Sequence, residues 1–361
     1  MVHALVARGV PFEEAYRAAN QIRERLKGRE VVDKAELAKG LRELLGDELF
    51  AEEQRPSLPD IAVVGEGSGR PFSKGVLSQS LLAAALDPNE AFDVAREIER
   101  ELAEKGIRRI GRRDLRRHTF EMLRRRAGSK TADRYLVWRH HEEGDRPVII
   151  LLGGAAGVGK TSLALEVAHR LGIGRVLSTD SIRQIMRIIL SPDLAPTLHA
   201  SSYDAWKRLP PDAHTEDAVL EGFRSQASSV SVGVRASMDR AVSENASLIL
   251  DGVSIVPGLI DLEAYRRQAD VFFLIVATLD EDAYRERFGA RAGTARERAP
   301  HRYLENFDAI LRVQDHLLEL ADRYDVPIVD NSSFDRSVLL ITRHVAETLR
   351  KRRDIDANEL L

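Results

Sequence analysis

The stretch "GAAGVGKT", Gly154 to Thr161, meets the pattern G-x-x-x-x-G-K-[ST] at every fixed position. An apolar run, "VIILLG" (148–153), precedes it, and a helical pattern, "SLALEVAHRLG", follows. Each part of such a loop has a physical task. Gly154, Ala155, Ala156, Gly157, Val158 and Gly159 would turn successive backbone N–H groups inward on phosphate oxygens. The helix opening at Lys160, Thr161 and Ser162 would add the partial positive charge of its N-terminus. The Lys160 ammonium would reach the β- and γ-phosphates, and the Thr161 hydroxyl would ligate Mg²⁺. The expectation is a bound Mg-ATP.

Other residues choose among reactions. "RVLSTDSIRQIM" (175–186) reads as a second strand ending in Asp180, with Arg183 three residues on. Ligands of parallel α/β sheets sit at the carboxyl ends of strands, so both side chains should face the phosphate-loop crevice. Asp180 could orient an acceptor hydroxyl or take its proton, and Arg183 could grip an anion. "SLILDG" (247–252) ends a third strand in Asp251, a candidate holder of magnesium with Thr161. The segment 283–307 gathers Arg285, Arg287, Arg291, Arg296, Arg298 and Arg302 around glycines. Such a segment can close over a nucleotide and set arginines, Arg287 and Arg291 first, against the transferring phosphoryl group.

Positioning these residues requires a parallel sheet. From Pro147 onward strand-sized apolar runs recur at 148–153, 175–179, 247–252, 271–278 and 326–330, separated by helical patterns. Near-continuous apolar strands alternating with helices predict a sheet covered on both faces. The first 140 residues read as helical, and residues 5–45 align with 81–123 at matched apolar spacing, which points to an internal repeat. "QRPSLPDIAVVGEGSGRPFSKGVL" between the copies is a linker or a small β-hairpin. The polar "HHEEGDRP" (140–147) is the expected main boundary, and 351–361 a charged tail. The arginines of "RRIGRRDLRRH" (108–118) read as one exposed helix face.

Composition bounds the rest. The chain has 361 residues, 31% charged, and a formal net charge of -3, which argues against a general nucleic-acid binder. Nine of the 54 basic residues are lysine, so single arginines carry little weight outside a motif. No apolar run reaches membrane-spanning length. The absence of cysteine rules out disulfides and thiolate metal sites and agrees with a cytoplasmic address. The sequence leaves self-association open. A nucleotide sensor without transfer chemistry is a second reading of the same loop; a motor ATPase is a third and weaker one.

"GGAAGVGKTS", "LSTDSIRQIMR", "PTLHASSYDAWKRL", "VSVGVRASMDRAVSENASLILDGVSIVPGLI" and "HRYLENFDAILRVQDHL", in this order over most of 147–346, resemble the 2-phosphoglycerate kinase family. The preceding "RPFSKGVLSQSLL…RRHTFEML" resembles an ATP-cone, a small helical nucleotide-binding module. The resemblance implies a P-loop NTPase sheet of about five strands, nucleoside-kinase-like, over 147–350. Ahead of it would lie an α-helical cone-like domain at 56–142 and a diverged half repeat at 1–55. It also implies transfer of the ATP γ-phosphoryl to the 3-hydroxyl of 2-phosphoglycerate, a small phosphorylated hydroxy acid, with neither nucleic acid nor membrane as partner. One departure stands out. Where the family pattern leads one to expect glutamate and histidine after the third strand, this chain has Asp251 and Ser254. Arg70 and Lys74 are the candidates for any nucleotide bound by the cone-like part.

Overall fold

The structure, a computed structural model, describes residues 61–65, 69–142, 144–210, 217–290 and 300–352, together with 34–45 and positions 18, 21, 22 and 25. The chain forms two compact units, 1–60 and 61–361. In the first, helix α1 (Lys34–Leu45) is described, with an exposed Arg25–Glu43 ion pair of 3.4 Å. Most of the first repeat copy lies outside the described residues, so the proposed duplication rests on the sequence.

The second unit opens with three short strands, β1 (Ala62–Val64), β2 (Arg70–Pro71) and β3 (Arg109–Gly111), in the order β2-β1-β3. β2 is antiparallel and β3 parallel to β1. Four helices accompany them: α2 (Lys74–Leu82), α3 (Pro88–Glu104), α4 (Arg112–Arg126) and α5 (Ser129–Glu142). Their starts follow local chemistry. Ser73 accepts the Val76 N–H to cap α2, and Asp87 accepts from Asn89 ahead of Pro88 at the start of α3. Leu81, Ile98, Leu102 and Leu123 fill a common core.

The arginine-rich stretch 108–118 is therefore not one helix face. Ile110 is drawn into the core as part of β3, and Gly111, in extended geometry, lets the chain turn into α4. The two candidates for a nucleotide here are placed differently. Arg70 is exposed on β2, whereas Lys74 is tied to Glu99 at 2.7 Å.

The remaining strands, β4 (Val148–Gly153), β5 (Val176–Ser178), β6 (Leu248–Gly252), β7 (Asp270–Ala277) and β8 (Ile328–Asp330), form one sheet in the order β5-β6-β4-β7-β8. All four pairings are parallel, and every residue of β4, β6 and β7 is buried. Helices α6 (Lys160–Leu171), α7 (Thr179–Ile189) and α8 (Ala218–Ser243) follow β4 and β5. The short α9 (Glu263–Arg266) precedes β7. Then come α10 (Glu281–Ala290), α11 (Pro300–Glu305), α12 (Phe307–Arg323) and, after β8, α13 (Phe334–Arg352). The closing helix ends with Arg352 donating to the Val271 carbonyl at 3.2 Å.

Two buried arginines join the helical part to this sheet. Arg170, in the last turn of α6, donates to the Leu86 carbonyl at 3.2 Å. Arg134 on α5 donates to the buried Ala84 carbonyl at 2.9 Å and to Glu347 on α13 at 3.3 Å. Burial holds the Arg134 pKa below its usual value, with Arg343 adding to the shift and Glu347 opposing it. Arg134→Ala leaves the Ala84 carbonyl dry and unpaired. It is expected to cost about 2–3 kcal/mol of unfolding free energy, read from the urea midpoint; an unchanged midpoint would show that the junction carries no stability.

Candidate active site

A cavity of about 940 Å³ opens at the carboxyl ends of β4, β5 and β6, the place expected for a ligand in an open parallel sheet. Lys160, Thr161, Asp180, Arg183 and Asp251 all line it. The phosphate loop forms one wall. Gly157 has φ +89°, and a Cβ there would sit 2.4 Å from the Phe288 ring. Gly159 has φ +93°, and a Cβ there would sit 2.7 Å from the Asn331 amide nitrogen. Both positions require glycine for backbone conformation and for space. Lys160 opens α6, is buried, and donates from Nζ to the Ala155 carbonyl at 2.6 Å, so its ammonium spans the loop.

Asp251 occupies the β6 position opposite Leu152 of β4 and Ser178 of β5. Its Oδ2 accepts the Thr161 hydroxyl at 2.7 Å, and its buried Oδ1 accepts nothing among the described residues. Burial raises the Asp251 pKa, and Asp180 adds to the rise; the Thr161 hydrogen bond and Lys160 oppose it. A carboxylate forced into such a place, with an idle oxygen beside a hydroxyl, suits a hard divalent cation.

Asp180 and Arg183 stand on α7, whose N-cap is Ser178, accepting the Ser181 N–H. Asp180 is thus a first-turn helix residue rather than the end of the strand, which stops at Ser178, and its half-exposed carboxylate lies 3.5 Å from Arg183. Arg183 is held on its other side. Nη1 donates to the carbonyls of Leu198 and Ala200 at 3.1 and 3.0 Å, which fixes the guanidinium against the "HASSY" loop.

No family model matches the chain. A 2-phosphoglycerate kinase from Methanopyrus kandleri is 39% identical over 285 residues, covering 78% of this chain and 85% of that protein. The 2-phosphoglycerate kinase of Methanococcus vannielii is 39% identical over 293 residues, 80% of this chain and 91% of its own length. That of Pyrococcus horikoshii is 35% identical over 283 residues, 78% and 92%. The chain belongs to the 2-phosphoglycerate kinase family. It is accordingly a phosphotransferase with a P-loop nucleotide site. Among solved structures, a gluconokinase from Sinorhizobium meliloti aligns with 57% of this chain and 97% of its own at 16% identity and a TM-score of 0.33, too low to carry a structural argument.

Membership in the 2-phosphoglycerate kinase family leaves the individual residues to be judged by placement. The shorter reach of Asp251 relative to a glutamate still meets Thr161. Ser254 is buried. Arg287 does not line the cavity. Its guanidinium donates to the Asn331 carbonyl, to Thr278 Oγ1 at 3.2 Å and to the Val158 carbonyl at 3.5 Å, so it braces the phosphate loop from behind. Arg291 lies outside the described residues. Asn331, which the sequence reading overlooked, donates from Nδ2 to the same Val158 carbonyl at 2.8 Å. Its signal was its place directly after the fifth apolar strand. Tyr203, Arg302 and Tyr303 also line the cavity and also escaped the reading as a set.

Proposed function

We propose that this chain transfers the γ-phosphoryl group of ATP to the 3-hydroxyl of 2-phosphoglycerate, giving 2,3-bisphosphoglycerate and ADP. The observation that carries the reading is the single cavity lined by the phosphate loop, Asp251 and the Asp180–Arg183 pair. Positioning and charge stabilisation, rather than a covalent enzyme intermediate, suffice for such a transfer.

Lys160 would exchange the Ala155 carbonyl for phosphate oxygens and offset the charge on the group in flight. Thr161 and Asp251 would hold Mg²⁺. Bound there, the cation neutralises phosphate charge and orients the phosphates for in-line attack. Asp180 would hold the acceptor hydroxyl and receive its proton as the new P–O bond forms and the bond to the β-phosphate oxygen breaks. Arg183 retains Nε and part of Nη2 to hold an anionic group of the acceptor.

Asp180→Asn keeps the size and one acceptor oxygen but cannot take the proton. It is expected to reduce kcat by about 10²–10⁴-fold with ATP affinity kept within a factor of about three. The check is ADP release coupled to 2-phosphoglycerate, beside titration of ATP. Full transfer by the variant would remove Asp180 from the mechanism. No wild-type turnover of 2-phosphoglycerate, with turnover of another phosphorylated alcohol, would overturn the acceptor assignment and leave the kinase class standing.

A further inference from the structure

The proposed acceptor carries two anionic groups, a phosphate ester and a carboxylate, yet the cations assigned so far are largely engaged. Lys160 sits in the nucleotide's loop. Arg183 spends Nη1 on two carbonyls and faces Asp180 at 3.5 Å. A third cation lines the same cavity. Arg302, on α11, is exposed there, and no carboxylate among the described residues lies within ion-pair distance of it.

The surroundings of Arg302 place it on the acceptor side. It acts electrostatically on the phenol of Tyr203, whose ionisation burial pushes upward. Tyr203 follows Ser201 and Ser202, and those three extend the loop whose Leu198 and Ala200 carbonyls Arg183 grips. The neighbouring Tyr303 packs 5.9 Å from Tyr203 and stacks on Phe288 at 5.0 Å with an interplanar angle of 11°. Phe288 in turn lies against Gly157 of the phosphate loop. An aromatic column thus runs from the phosphate loop through Phe288 and Tyr303 to Tyr203. It fixes α11 at one distance from the transfer point, so a guanidinium carried on α11 meets a ligand of set length.

We propose that Arg302, beside Tyr203 and the Ser201–Ser202 hydroxyls, is the specificity-determining subsite for a second oxyanion of the acceptor. This rests on the acceptor being a small doubly anionic alcohol. A guanidinium presents a planar fork that matches either a carboxylate or a phosphate ester, and the fork, with the charge, is what a glutamine replacement removes. Arg302 is a binding residue here, with no part in the proton or the phosphoryl group.

The experiment is isothermal titration of three acceptors onto the full chain filled with a non-hydrolysable ATP analogue and Mg²⁺. They are 2-phosphoglycerate, glycerol 2-phosphate, which lacks the carboxylate, and glycerate, which lacks the phosphate. Arg302→Gln should weaken 2-phosphoglycerate by about 10- to 100-fold. It should weaken one truncated acceptor by a like factor and spare the other; the acceptor weakened retains the group that Arg302 reads. Arg302→Lys should recover part of the loss, since it restores the charge without the fork. ATP-analogue binding should stay unchanged in both variants. Undiminished binding of 2-phosphoglycerate by Arg302→Gln, or a parallel loss of the ATP analogue, overturns the subsite. A wild-type protein that binds these anions but does not phosphorylate 2-phosphoglycerate overturns the proposed reaction instead.

Discussion

Lys160→Ala should lower ATP-dependent phosphorylation of 2-phosphoglycerate by about three orders of magnitude, equivalent to roughly 4 kcal/mol of transition-state stabilisation. The size follows from where the ammonium sits. It is buried at the first position of α6, within a ring of backbone turned inward by Gly157 and Gly159, and it already spans the loop to Ala155. In such a place a positive charge is poorly screened and needs little rearrangement to meet charge developing on a phosphoryl group. The nucleotide itself keeps the loop N–H groups and the helix N-terminus, so ATP binding should weaken far less than turnover. Steady-state kinetics with ATP titration on the same preparation separates the two effects. An alanine variant that retains a tenth of wild-type kcat would remove Lys160 from the chemistry.

The second large effect combines activity and stability with opposite signs. Asp251→Asn should cut kcat by about 10²–10³-fold, because the amide keeps an oxygen for Thr161 but loses the charge offered to a cation. Free of ligands, the variant should nevertheless be the more stable protein near neutral pH. Burial raises the Asp251 pKa in the folded state, so its charged form opposes folding. The stability associated with the protonated carboxyl is full below the unfolded-state value, about 4, and is lost as pH rises through the higher folded value. The advantage of the asparagine variant should therefore be absent at low pH and grow as pH climbs. Urea unfolding of both proteins between acid and neutral pH, in chelator, reads this directly. A variant that is less stable at pH 7 than at pH 4, relative to wild type, contradicts it. A cost borne in the empty site and relieved by a bound cation is a common signature of functional carboxylates.

How much of this was legible beforehand varies by element, and the reason is locality. All five strands of the parallel sheet were marked in advance by short apolar runs, since β4 and β7 are buried along their whole length and admit no polar residue except Asp270 at one end. The phosphate loop was legible because its glycines answer to backbone geometry within eight residues. β1 and β2 fall in the stretch read as a linker or a small β-hairpin, and the hairpin is what the Ala62–Pro71 and Val63–Arg70 pairs form, whereas β3 was read as helix. All three are two or three residues long, β2 and β3 carry arginine, and β3 joins β1 only because distant residues pair, as Ala62 does with Arg109.

Arg287 shows the same limit at the site. Its position after the fourth strand suggested a side chain aimed at the transferring group. Its direction is set by Thr278, Val158 and Asn331, which no local pattern brings together. Asn331 reaches Val158 from 173 residues away. Arg302 was one of six arginines in the segment expected to close over the nucleotide, and only the stack of Phe288, Tyr303 and Tyr203 placed it on the cavity wall.

The sequence alone determined that a nucleotide loop follows the first strand of a parallel sheet, that Asp251 stands at a strand end with Asp180 and Arg183 following another strand, and that the chain resembles one kinase family. These are properties of spacing and of backbone conformation over a few residues. The strand order β5-β6-β4-β7-β8, the meeting of Thr161 with Asp251, the turning of Arg287 behind the loop and the seating of Arg302 across from it were decided by tertiary structure. Each depends on which distant surfaces bury one another, and burial of apolar faces does not name its partner in advance.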